Sequence, residues 1–82
     1  MFKLFSFLKI NMIDRADLDI LRLVKKRGDY TSPQTASRIL GRPFGGTYRR
    51  FEKICRDGFL IRNGGVVEYY LTDRGIDLLK KS

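Results

Sequence analysis

The chain has no histidine, only one cysteine, Cys55, and few acidic residues among its 82 positions. Without histidine there is no imidazole to move protons near neutral pH and no imidazole to hold a metal. A lone cysteine makes neither an intramolecular disulfide nor a zinc site. It gives no sign of an oxidising compartment, so a cytoplasmic location is expected. No apolar run approaches the roughly 20 residues that cross a bilayer. The opening MFKLFSFLKI is interrupted by Lys3 and Lys9 and has no small-residue cleavage site after it, which argues against a signal peptide. Neither an internal repeat nor a low-complexity segment is present. No acid–base pair, activated nucleophile or metal cluster can be assembled, so the expectation is a protein that is not an enzyme, with no cofactor and no metal. No small-molecule ligand is evident, since 82 residues leave no room for a separate ligand domain.

What is present points to one small globular domain. Hydrophobic residues make up 43% and aromatics 12%, too much for a disordered chain. Lys and Arg number 17 against 9 Asp and Glu, a net charge of +8 that favours polyanionic partners. Asp14 can cap a first helix over about 14–27, with Asp17 and Asp19 near the positive end of its dipole, Lys25, Lys26 and Arg27 near the negative end, and Gly28 as a stop. Leu18, Ile20, Leu21, Leu23 and Val24 form its apolar side. In DYTSPQTASRILG, Ser32 is the N-cap of a second helix, Pro33 its first residue and Gly41 its end, with Ala36, Ile39 and Leu40 facing inward.

A third helix begins between Pro43 and Thr47 and ends at Asp57 and Gly58. At about 100° per residue, Tyr48, Phe51, Ile54 and Cys55 share one face, Arg49, Lys53 and Arg56 point the other way, and Arg50 lies beside them. Cys55 thus reads as a buried, inert thiol rather than a redox sensor. FLIR is a short strand, NGG at 63–65 a tight turn, and VVEYYL a return strand with Val67, Tyr69 and Leu71 on one side. Thr72 and Asp73 then start a last helix through Ile76, Leu78 and Leu79. Tyr30 and Tyr70 fit structural positions at the core edge, with stacking or phosphate contact as the other option.

This order resembles the winged helix-turn-helix domain of prokaryotic transcription regulators, including small stand-alone forms found in archaea and their viruses. The resemblance spans roughly residues 14 to 80. Ala36, Leu40, Thr47, Arg50, Ile54, Gly58 and Leu60 stand where the family pattern has its marked positions, and YYLTDRGIDLL at 69–79 matches the family's ending. The resemblance implies an α+β fold, a three-helix core with a two-stranded β-hairpin wing and a C-terminal helix, over 14–82. It implies a DNA-binding transcriptional regulator whose recognition helix, about 44–57, enters the major groove of double-stranded DNA. The wing, about 60–71, would touch the adjacent backbone or minor groove.

A recognition helix buries one face and presents the other to bases and phosphates, and the residues at 47–56 divide in that way. The candidate DNA contacts are Arg42, Gly45, Gly46, Thr47, Arg49, Arg50, Lys53 and Arg56, with Arg62 and Asn63 at the wing tip. Arg49 and Lys53 suit base edges or phosphates, an ordinary solvated face being the alternative. Thr47 is a short-range contact near the helix start. Arg50 serves either DNA or an ion pair with Glu52 or another carboxylate. Residues 42–62 carry six cations against two carboxylates, a balance of +4 and half of the net charge. The segment GRPFGG before the helix is about one residue longer than the family turn. Phe44 supplies its apolar plug, and Gly45 and Gly46 either let the helix terminus approach a phosphate or relieve a cramped turn.

Residues 1–13 stand apart. Phe2, Leu4, Phe5, Phe7, Leu8 and Ile10 are too many apolar residues for an unattached tail. The first expectation is a dimerisation element that makes a homodimer reading a pseudo-palindromic site. A cover for the domain's own core and a basic amphipathic membrane anchor are the others, the charge pattern arguing against the membrane. The regulator would be nucleoid-associated, or in host cytoplasm if viral. Two functional alternatives stand beside it, a protein-interaction adaptor and a sequence-independent architectural DNA-binding protein.

Overall fold

Three of the four described helices start at a side chain that caps them. The computed structural model describes residues 13–64 and 68–81. Asp14, extended, accepts a hydrogen bond from the Asp17 N–H and opens α1, Arg15–Lys26. Ser32 does the same for the Thr35 N–H at the start of α2, Pro33–Leu40, where Pro33 occupies the first turn without loss of an intrahelical bond. Gly41 ends α2 in the left-handed conformation, with φ 64°, that a residue bearing Cβ rarely adopts. The third helix, α3, is Phe44–Arg56 and the fourth, α4, is Asp73–Lys81. At the start of α4, Thr72 Oγ1 accepts from the Gly75 N–H and donates to the Gly58 carbonyl, joining the helix to the loop behind α3.

The described residues form an α+β fold of four helices and one three-stranded antiparallel sheet. A two-stranded hairpin was the expectation. Its strands are β2, Leu60–Asn63, and β3, Glu68–Leu71, paired from Leu60 opposite Leu71 to Asn63 opposite Glu68. The correction is a further strand, β1, formed by Tyr30 and Thr31, which pairs with the free edge of β3. Sheet order is therefore β1-β3-β2, with the last strand in the chain at the centre. The Leu71 N–H extends this pairing to the Asp29 carbonyl at 2.9 Å.

Alternation in β3 divides the sheet into two faces. Tyr69 turns inward, fully buried, and meets Phe51 of α3 edge-on with ring centroids 5.1 Å apart. Around this pair lie Ile20, Leu21 and Val24 of α1, Ala36 of α2, Ile54 of α3, and Phe59 and Leu60, with Ile13 closing the end of the core. Burying such side chains provides the main driving force, roughly 1.5–3 kcal/mol for each large one. Ile39 departs from its expected inward place and is 51% exposed; Leu40 beside it is half-buried.

Gly75 fixes the approach of α4. A Cβ there would collide with the Phe59 carbonyl oxygen and lie 2.7 Å from Leu71 Cδ1, so the helix backbone sits directly against the chain entering β2. Expectations for residues 1–12, for Gly65 of the turn at 63–65, and for Val66 and Val67 of the return strand fall outside the described residues.

Candidate functional site

The start of α3 lacks a capping side chain. Pro43 is the N-cap and offers no acceptor, leaving the first N–H groups, at Phe44, Gly45 and Gly46, without a side-chain partner among the described residues. Gly45 and Gly46 are exposed and carry no positive φ, and a Cβ at either would meet nothing within 4 Å. The fold itself therefore makes no steric demand for glycine there, contrary to the cramped-turn alternative. Glycine costs up to about 1 kcal/mol relative to alanine in a helix interior and less in the first turn, where these two stand, so nothing in the described packing selects it.

Thr47 belongs to the core side of α3. It is buried, and its hydroxyl donates to the Pro43 carbonyl at 2.9 Å, which corrects its expected place on the contact face. Phe44 is corrected the other way: 52% exposed, it plugs no part of the described core, and its ring leans on Tyr48 with centroids 5.9 Å apart. Tyr48 and Cys55, placed in the core by helical spacing, are half-buried at its border.

The charged side chains of α3 separate into two sets. Arg50 Nη1 bonds to both carboxylate oxygens of Asp14, at 3.0 and 2.9 Å, and to Asp17 Oδ1 at 3.1 Å. Lys53 Nζ reaches the other Asp17 oxygen at 2.7 Å. Asp17 is wholly buried. A carboxylate so placed is tolerable only when cations and hydrogen bonds compensate its lost hydration, and Arg50 and Lys53 supply them. The hydrogen bond from the Asp17 N–H, and next that from Arg50, hold the Asp14 carboxyl below its ordinary value. Bonds to Asp14 and then Asp17 raise Arg50 above its own. Arg42, in the turn before α3, bonds to Asp19 of α1 through Nη2 at 2.9 Å, while its Nη1 is buried without a partner among the described residues.

Arg49, Glu52 and Arg56 form the second set. With Gly45 they occupy an arc of about 60° opposite the buried residues Thr47, Phe51 and Ile54, and all are exposed. Among the described residues none of these three side chains has an ion-pair partner. Arg62 and Asn63 are exposed at the far end of β2, the strand that follows α3 and packs on it. Glu52, expected only as a candidate partner of Arg50, stands instead among the exposed residues, and Asp14, Asp17 and Asp19, expected as helix-start acids, are also the partners of Arg50, Lys53 and Arg42. For Asp17 a signal existed: positions 17, 20, 21 and 24 lie on one helical stripe, so a carboxylate there demands a buried cation.

The outer sheet face carries a different surface. Tyr30, Tyr70 and Ile61 stand opposite one another across the three strands, 44%, 37% and 59% exposed, and the two tyrosine rings stack at 5.4 Å. No helix among the described residues is long and apolar enough to cross a membrane, and no group of three metal-ligating side chains occurs among them. Comparisons with protein-family models, with curated proteins and with solved structures found no match to the chain.

Proposed function

We propose that this protein is a DNA-binding transcriptional regulator of the winged helix-turn-helix type, acting by occupancy of duplex DNA rather than by catalysis. The observation that carries this reading is the exposed stripe of α3, where Arg49 and Arg56 face solvent with no carboxylate paired to them among the described residues. A guanidinium on a helix surface can bind guanine in the major groove bidentately or clamp a phosphate. Gly45 and Gly46, with the uncapped N–H groups beside them, support close approach of a backbone phosphate to the helix start. Arg62 and Asn63 on the hairpin would reach the neighbouring backbone or minor groove.

The footprint is narrower than charge counting implies. Arg42, Arg50 and Lys53 support it indirectly, by fixing α3 and the turn before it against Asp14, Asp17 and Asp19 of α1. A homodimer through residues 1–13 is part of the reading and rests on the six apolar side chains between positions 2 and 10. Titration against random-sequence duplex DNA at several salt concentrations, with enriched sequences read out, tests the whole. Enrichment of an inverted repeat is the expected result. Salt-sensitive binding without enrichment would replace regulation with an architectural role, and no binding at low salt would overturn the DNA reading.

A second reading, a protein-interaction adaptor, is favoured by one observation, the Tyr30–Tyr70–Ile61 stripe. Exposed tyrosine and aliphatic side chains in a row are typical of the anchoring part of protein interfaces. On that reading Tyr70→Ala abolishes partner binding, and Arg49→Ala leaves it intact.

A further inference from the structure

Glu52 sits in the middle of the exposed stripe of α3, with Arg49 three residues before it and Arg56 four residues after. A carboxylate facing a phosphate backbone is repelled by it, so on a duplex-binding surface Glu52 lowers affinity unless a base offers it a donor. Two ordinary roles could retain it. Intrahelical pairing with Arg49 or Arg56 is the first, and neither pair is formed. Holding the fold is the second, but Glu52 is exposed and accepts no hydrogen bond among the described residues. Of the other carboxylates near this helix, Asp14 and Asp17 are paired with Arg50 and Lys53, and Asp57 caps the helix end away from the stripe.

We propose that Glu52 is a specificity-determining residue that accepts a hydrogen bond from the exocyclic amino group of a cytosine in the major groove. The proposal rests on the duplex-binding reading and deepens it by naming a base. In the major groove the cytosine amino group is a donor with no acceptor on the same base edge, and a carboxylate, an acceptor only, matches it while being repelled by the acceptors of guanine, the oxygen of thymine and the N7 beside the adenine amino group. Arg49 lies about 4.5 Å from Glu52 along the helix axis, close to one base-pair step, and its guanidinium suits the acceptor pair of a guanine. Together they specify a cytosine with a guanine within about one step of it.

Glu52→Ala tests this without disturbing the fold, because the side chain is exposed and unpaired. The wild type and the variant are each selected against the same random-sequence duplex pool, and both are titrated against one selected duplex and its single-base changes at fixed salt. The expected result is a cytosine in the wild-type motif at one position, about 5- to 100-fold preferred, which the variant no longer distinguishes. The variant should also bind non-cognate duplex more tightly than the wild type does. A Glu52→Ala variant that gains affinity evenly and keeps the wild-type motif would overturn the proposal and leave the duplex reading standing. A wild type that binds no duplex overturns both.

Discussion

Arg50 and Lys53 lie on the same helix as Arg49 and Arg56, interleaved with them in sequence, yet the two pairs meet opposite fates. The first pair turns toward α1 and compensates a carboxylate that has no contact with water; the second pair faces solvent with no acidic partner among the described residues. The difference comes from α1 rather than from α3. Asp14 caps a helix and Asp17 lies one turn further on its buried side, so the pair forms an anionic corner that captures whichever α3 cations lie on the near flank. A count of basic residues therefore overstates a contact surface whenever a buried acid lies within reach.

Removing the cations together breaks the comparison most severely. A double Arg50→Ala, Lys53→Ala variant leaves the Asp17 carboxylate buried without a compensating cation, and a loss of about 3–5 kcal/mol is expected from urea unfolding. Alanine at each α3 cation sharpens it. Arg49→Ala and Arg56→Ala should keep stability within about 0.5 kcal/mol and each lower the salt slope of duplex binding by about one. Arg50→Ala and Lys53→Ala should do the reverse, lowering stability with little effect on the slope; equal slopes for all four variants would erase the distinction.

Acid gives the gentlest probe. Asp14 titrates below its ordinary value of 3.8 in the folded protein, so its contribution is complete above that pH and disappears as pH falls through the lowered value. Because the carboxylate is half-exposed, the effect is small. Asp14→Asn, which keeps the capping oxygen, should flatten the fall in melting temperature below about pH 4 while leaving the neutral value little changed.

Local signals carried much of the fold. Asp14, Ser32 with Pro33, and Gly41 mark helix ends by chemistry confined to a few neighbouring residues, and the alternation of β3 names Tyr69 as a core residue. Features that depend on distant parts of the chain were harder to read. Two residues, Tyr30 and Thr31, show no alternation, and their partner strand lies almost 40 positions away. Ile39 and Phe44 have the character of core residues, but the described fold offers them no neighbour to bury against. Thr47 is polar and lies near a helix start, which suggests exposure, yet its hydroxyl is satisfied by the Pro43 carbonyl one turn back. At the candidate site, the cationic face was legible as a face. How its charges are shared with α1 required the packing.

The place of β3 at the centre of the sheet also governs the order in which the molecule can assemble. Tyr30 and Thr31 precede three of the four described helices, but their hydrogen-bonding partners are residues 69 and 70. Everything between must be laid down before the first strand can pair, and the ring of Phe51 gains its edge-on neighbour at the same moment. The helices can form early and locally; the sheet closes late, through contacts of long sequence separation that slow folding. A ribosome-bound chain that has emerged only as far as residue 64 holds three of the four described helices and nine of the ten buried apolar core residues, but it lacks Tyr69, the strand that pairs with both β1 and β2, and α4.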